Sequence, residues 1–277
     1  MRLARAVRSR IAGDRFDSIH ARIWHTPGPR WFTEDDAIWR VHADTAMFVG
    51  GIRALLLQSL HPVAMQGVSE HSDFRVDPWG RLQRTSQFIA TTTYGTIADA
   101  ERIIGVVRRI HETVTGTTAA GSAYRADDPH LLSWVHITEI DSFLAGHQVF
   151  GTEPLDPQRA DDYVRQTGHA ASRLGVVNPP ESTAELEAQL QSFRPELAVT
   201  DPTRETVDLL LRTPPLTGPA RLGYAALAAG AVSILPPWAR SELGLAISPT
   251  LDRLVTRPLT RQALAAIRWA LAGSTAV

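Results

Sequence analysis

The chain has 277 residues and sets 28 basic side chains against 29 acidic ones, a balance that gives no reason to expect a nucleic-acid or other strongly anionic partner. Every basic side chain is arginine, and there is no cysteine. That excludes disulfides, thiolate catalysis, Fe–S clusters, thiolate-ligated metals and lysine Schiff-base chemistry.

The length suits one domain, residues 1–277, with room for a core and a cofactor pocket. Residues 1–20 begin with five arginines in fifteen positions and set Leu3, Val7 and Ile11 on one face. They lack the apolar core and cleavage site of a signal peptide, so a solvated amphipathic helix is expected, with an anionic membrane surface as its alternative contact. A helix start is expected at Thr33, with Glu34, Asp35 and Asp36 in its first turn. The run from Ala46 to Leu57 reads as a buried helix, too short to span a bilayer, with a close-packed contact at Gly50-Gly51. Arg53 within it belongs either at the surface or against a buried acid or cofactor carboxylate. His61-Pro62 marks a helix boundary. The polar stretch Ser69 to Asp73, with Glu70 and His71, reads as a loop able to line a pocket.

From Arg81 to Gly116 the chain passes from a polar cluster (Arg81, Arg84, Thr85) through a threonine-rich turn into a strongly patterned helix. Thr96 followed by Asp99 is a capping-box type start, and Ala100, Ile103, Ile104, Val107 and Val114 form one apolar stripe ending near Gly116. His111 falls four residues after Val107, which turns its ring along the stripe, and Arg108 lies at the border. A buried imidazole left without a partner costs roughly 1–3 kcal/mol, so His111 needs a side chain, a carbonyl or a metal. From spacing alone, a satisfied core histidine is the commoner outcome.

Asp127-Asp128-Pro129 is a good helix entry, and the helix from His130 to about Phe150 sets His136 and Glu139 one turn apart. Such a pair could share a metal or orient a neighbouring group. Proline-marked helices come next at about Pro157–Leu174, Thr183–Phe193, Asp201–Arg212 and Thr217–Leu235, with a last one near Thr260–Leu271. No strand alternation, repeat, Walker loop, Rossmann glycine fingerprint or nucleophile elbow is present, so the expected fold class is all-α.

The spacing Arg81-x-x-Arg84-Thr85 followed by Arg108-x-x-His111 resembles the haem-binding core of the oxygenase family of latex clearing protein and the mycophenolate-pathway enzyme, which also takes in many bacterial proteins. The stretches Leu55–Phe74, Asp77–Thr85, His130–Ser142 and Leu235–Leu245 are similar to the same family. The resemblance implies a multi-helix domain around a buried haem b, with His111 as the iron ligand and Arg81, Arg84, Thr85 and Arg108 near the cofactor. The rubber-cleaving members face the iron with a lysine at the position that resemblance gives to Arg84, and a guanidinium cannot ligate iron. Arg84 and Thr85 are therefore expected as distal-side catalytic groups, with Glu70 the nearest match, at a different spacing, to the family's proposed base.

The implied activity is a haem- and O₂-dependent oxygenase acting on a lipophilic, unsaturated, isoprenoid-like substrate. A non-catalytic haem- or lipid-binding protein is the alternative from another class. Another is non-haem iron at His136, Glu139 and either His71 or His61. The expected location is cytoplasmic, with no transmembrane segment; the alternative adds a peripheral membrane contact through the N-terminal helix.

Overall fold

The computed structural model describes residues 16–72, 75–118, 121 and 123–272. Most of the expected N-terminal amphipathic helix therefore lies outside the described residues. Those that are described are helical almost throughout: α1 (Phe16–His25), α2 (Ala37–Ala43), α3 (Met47–Gln58), α4 (Pro62–His71), α5 (Pro78–Tyr94) and α6 (Ile97–Thr113). A two-stranded antiparallel hairpin, β1 (Thr115–Thr117) and β2 (Ala123–Arg125), leads into α7 (Pro129–Phe150). Then come α8 (Pro157–Leu174), α9 (Thr183–Ser192), α10 (Asp201–Leu211), α11 (Pro219–Ser233), α12 (Pro237–Glu242) and α13 (Arg257–Ala272).

The centre of the molecule is the seam between α3 and α7, two helices that are apolar on nearly every face and so can only be buried. Glycine permits their close approach: a Cβ on Gly50 would lie 2.9 Å from the Phe143 ring and 3.0 Å from the Ser142 carbonyl, and one on Gly146 would lie 3.1 Å from the Ala46 carbonyl. Gly51, next in sequence, faces open space, so only one member of the Gly-Gly pair makes the contact. Leu56, Leu57, Leu60, Trp134, Ile137 and Tyr163 complete the centre with essentially no exposed surface. Arg53 lies in the same seam, 3% exposed, and is fully engaged there. Its guanidinium donates to Asp141 (2.6 Å), to the Ser142 hydroxyl (2.7 Å) and to the Ile234 carbonyl (3.0 Å). Its charged partner is thus the half-buried Asp141.

Helix starts follow the chain's own signals. Asp77, Asp128 and Asp156 each cap a helix whose first residue is proline, their carboxylates accepting from Gly80, His130 and Arg159 N–H. Thr200 and Thr203 cap each other reciprocally at α10. His61 caps α4, its Nδ1 accepting from the Ala64 N–H at 3.4 Å.

Four expectations need correction. The helix expected at Thr33 starts at Ala37, because the Asp36 carboxylate takes the Thr33 N–H and hydroxyl and holds Thr33–Asp36 as a turn. Ser69 to His71 is the last turn of α4, not a loop. Helix α6 stops at Thr113, and Gly116 sits in β1, where a side chain would strike the Tyr124 ring. The hairpin itself escaped notice, since three-residue strands are too short to set up an alternation. Among the described residues no single helix is long and apolar enough to cross a membrane; α3 and α4 would be so together, but they meet at a 107° bend.

Candidate functional site

Helices α5 and α6 form an antiparallel hairpin joined at Gly95-Thr96, where the Thr96 hydroxyl accepts from the Asp99 N–H and donates to its carboxylate. Asp99 in turn holds Arg22 and Arg102, tying α1 to the hairpin. The hairpin reaches the central layer indirectly: α5 packs on α2 and α6 on α8, and both α2 and α8 pack on α7. Among the described residues it has no comparable seam with α7 itself.

His42 of α2 stands at this junction of four helices. Its Nδ1 is 2.8 Å from the Thr93 hydroxyl of α5, its Nε2 is 3.4 Å from the Tyr163 hydroxyl of α8, and its ring meets Phe143 of α7 edge-on. His42, Arg81, His136 and Glu139 are all set deep in the fold, yet each keeps some accessible surface.

The electrostatics agree. Burial lowers His42 to about 3 and His136 to about 4, so both rings are neutral. Burial alone raises Glu139 to about 7, which makes it a carboxyl able to hold or release a proton near neutrality. The Nε2 of His136 is buried without a partner.

Arg81 lies in the first turn of α5, at the opposite end of that helix from Thr93. Its Nη1 donates to the Ser72 hydroxyl at 3.0 Å, and burial, with the like charge of Arg84, depresses its pKa. Among the described residues no carboxylate pairs with it. Arg84 lies outward, 63% exposed and 3.9 Å from Asp77, and Thr85 and Arg108 are exposed as well. The four residues expected around a cofactor are thus one inward arginine and three groups on the outer face.

His111 occupies the last turn of α6, half-buried, with Nδ1 buried and unpartnered. Burial lowers its pKa, opposed by the charge of Asp127 just before α7. The hairpin after α6 turns Tyr124 onto α4, where its hydroxyl donates to Glu70; Gln66 donates to the other oxygen of the same carboxylate. These bonds hold Glu70 below the usual carboxylate range and, with burial as the larger cause, push Tyr124 up to about 12. Glu70 is therefore a hydrogen-bonded anchor and a weak base. His71 lies 4.0 Å from it. His61 points elsewhere, to Glu196 and His130. So among the described residues His136 and Glu139 gather no third ligand, and the non-haem iron set is not assembled. His42 and Tyr163 were missed in the sequence, where the only signal was the position of His42 four residues after Ile38 on a short helix.

Residues 39–269 match the family described as the ER-bound oxygenase mpaB/B'/rubber oxygenase catalytic domain. The chain belongs to this family. No curated protein and no solved structure matches it. In this oxygenase-family chain the matched span includes α3 to α12, hence every interior group just described. Two surface clefts, of about 630 Å³ beside Asn178 and Glu185 and about 580 Å³ beside Arg75 and Arg212, share no residue with them. Both clefts are open folds of the surface.

Proposed function

We propose that the chain is a haem b-dependent oxygenase that uses O₂ on a lipophilic, unsaturated substrate. The observation that carries this reading is Arg81, a desolvated guanidinium with no acid beside it among the described residues, on the same helical hairpin as the unpartnered imidazole of His111. A cofactor with a ligand-seeking iron and carboxylate side arms would satisfy both. His111 would hold the iron and Arg81 a propionate, with Arg84 and Arg108 at the rim. Haem would supply O₂ activation.

The chain's own groups would do the rest. Glu139, balanced near neutral pH by burial, is better suited than the anchored Glu70 to hold a proton, and His136, one turn away and neutral, can accept or donate a hydrogen bond. His42, Thr93 and Tyr163 would fix the back wall. Half-buried Ile89, Ile103 and Val107 give the hairpin an apolar surface on which a lipophilic substrate could rest and from which water would be excluded.

The test is a visible spectrum with a pyridine haemochrome assay on protein made with added iron and haem precursor. Near-stoichiometric b-type haem that binds CO, followed by O₂-dependent consumption of an unsaturated isoprenoid, is the expected result. No Soret band even after reconstitution with haemin would overturn the reading. A six-coordinate low-spin iron that refuses CO would leave a haem carrier in place of an enzyme.

A further inference from the structure

We propose that His61, His130 and Glu196 form a separate metal site, a two-histidine, one-carboxylate set for a divalent ion of the zinc class. The three residues are remote in sequence and come from three elements. His61 stands in the elbow between α3 and α4, His130 is the second residue of α7, and Glu196 ends a short 3₁₀ turn, Arg194–Glu196. The turn is fixed against the elbow by bonds on its C-terminal side: the Ala198 N–H donates to the Leu60 carbonyl (2.9 Å), and the Thr203 hydroxyl to the Ser59 carbonyl (2.7 Å). The site's frame is thus made by backbone contacts that do not involve its ligands.

The donor atoms all lie within 4.8 Å of one another. His130 Nε2 is 2.8 Å and 3.0 Å from the two Glu196 oxygens, and His61 Nε2 is 3.6 Å from the nearer one. Tetrahedral zinc, with bonds of about 2.0–2.2 Å, holds its ligand atoms roughly 3.3–3.6 Å apart. Side-chain rotation covers the difference. The second observation is His61 itself. It is only 3% exposed, and its Nε2 is buried with no hydrogen-bond partner while aimed at Glu196. A core histidine with an ordinary structural role would have that nitrogen satisfied.

The ring can adopt the tautomer a metal needs. Its Nδ1 accepts only a long, 3.4 Å bond from the Ala64 N–H. Giving up that bond lets Nδ1 carry the proton and leaves Nε2 free for the ion, the arrangement common behind metal-bound imidazoles. Phe193 stacks on His130 at 4.4 Å and packs on Trp134 at 5.2 Å, walling one side. His130 and Glu196 remain about half exposed, which leaves a solvent-side position for water or a ligand.

The test is a titration of the full chain, stripped with a chelator, with Zn²⁺ followed by calorimetry and with Co²⁺ followed by its visible ligand-field bands. One equivalent of zinc is expected at micromolar concentration, with a rise in melting temperature and unchanged uptake in His111→Ala. Glu196→Gln and His130→Asn, both half-exposed and safe for folding, should each weaken binding by about 10-fold or more. No saturable uptake, or equal uptake in both variants and the parent, would overturn the site.

Discussion

Two arginines, one on α3 and one on α5, divide the molecule. Arg53, in the α3–α7 seam, donates to a carboxylate, a hydroxyl and a carbonyl, all from the chain. Arg81, on the α5–α6 side, is also desolvated but among the described residues has only a hydroxyl. The first guanidinium is satisfied by the chain itself; the second sits on the same hairpin as His111, whose Nδ1 is buried without a partner. A fold tolerates such gaps where a ligand completes them.

The sharpest way to break this contrast is His111→Ala, which should abolish haem retention, read as loss of the Soret band, with little change in the unfolding of the haem-free chain. Retention of full haem with an unchanged spectrum would remove His111 as ligand. Next is the arginine pair. Arg53→Met strands Asp141 and should cost about 3–5 kcal/mol in urea unfolding. Arg81→Met should leave the haem-free chain within about 0.5 kcal/mol of the parent, or more stable, while weakening haem binding. Equal destabilisation by both would show Arg81 to be structural.

Glu139 sharpens the comparison through pH. Its carboxyl is raised from an ordinary 4.5 to about 7, so between those values the folded chain keeps a proton the unfolded chain has lost. Stability from this group therefore falls as pH rises through that window. Glu139→Gln, which cannot ionise, should gain on the parent by about 3 kcal/mol between pH ~4.5 and pH ~7, in haem-free protein. The buried neutral histidines act with the opposite sign, losing stability as pH falls below 6.5, so the difference between variant and parent isolates Glu139. A flat difference would mean the carboxyl is well hydrated. The smallest effect is a control on the closed region: Gly50→Ala should cost about 1–3 kcal/mol by overpacking against Phe143, whereas Gly51→Ala, in open space on a helix, should be neutral or stabilise by up to about 1 kcal/mol.

The helical framework was legible because its punctuation is local. Pro157–Leu174 is marked at both ends by Asp156 and Gly175, and Asp128-Pro129 opens α7 as expected. Helix starts set by a longer reach were misread: Asp36 answers to Thr33 and to Gln166, 130 residues away, and no local pattern records the second bond. At the candidate site His111 and Arg81 were found through resemblance, and their want of partners became visible only in three dimensions. The outward positions of Arg84, Thr85 and Arg108 could not be read from spacing, since α5 has no wholly apolar stripe to fix its rotation. His61, His130 and Glu196 were separate polar residues in sequence; the elbow and the 3₁₀ turn bring them together.

The hairpin between α6 and α7 gives the site a mechanical link. β1 begins two residues after the helix that ends beside His111, and β2 fastens it to α4 by one phenol-to-carboxylate bond, with no room at Gly116 for even a methyl group. One hydrogen bond, from Tyr124 to Glu70, thereby ties the chain that follows His111 to α4.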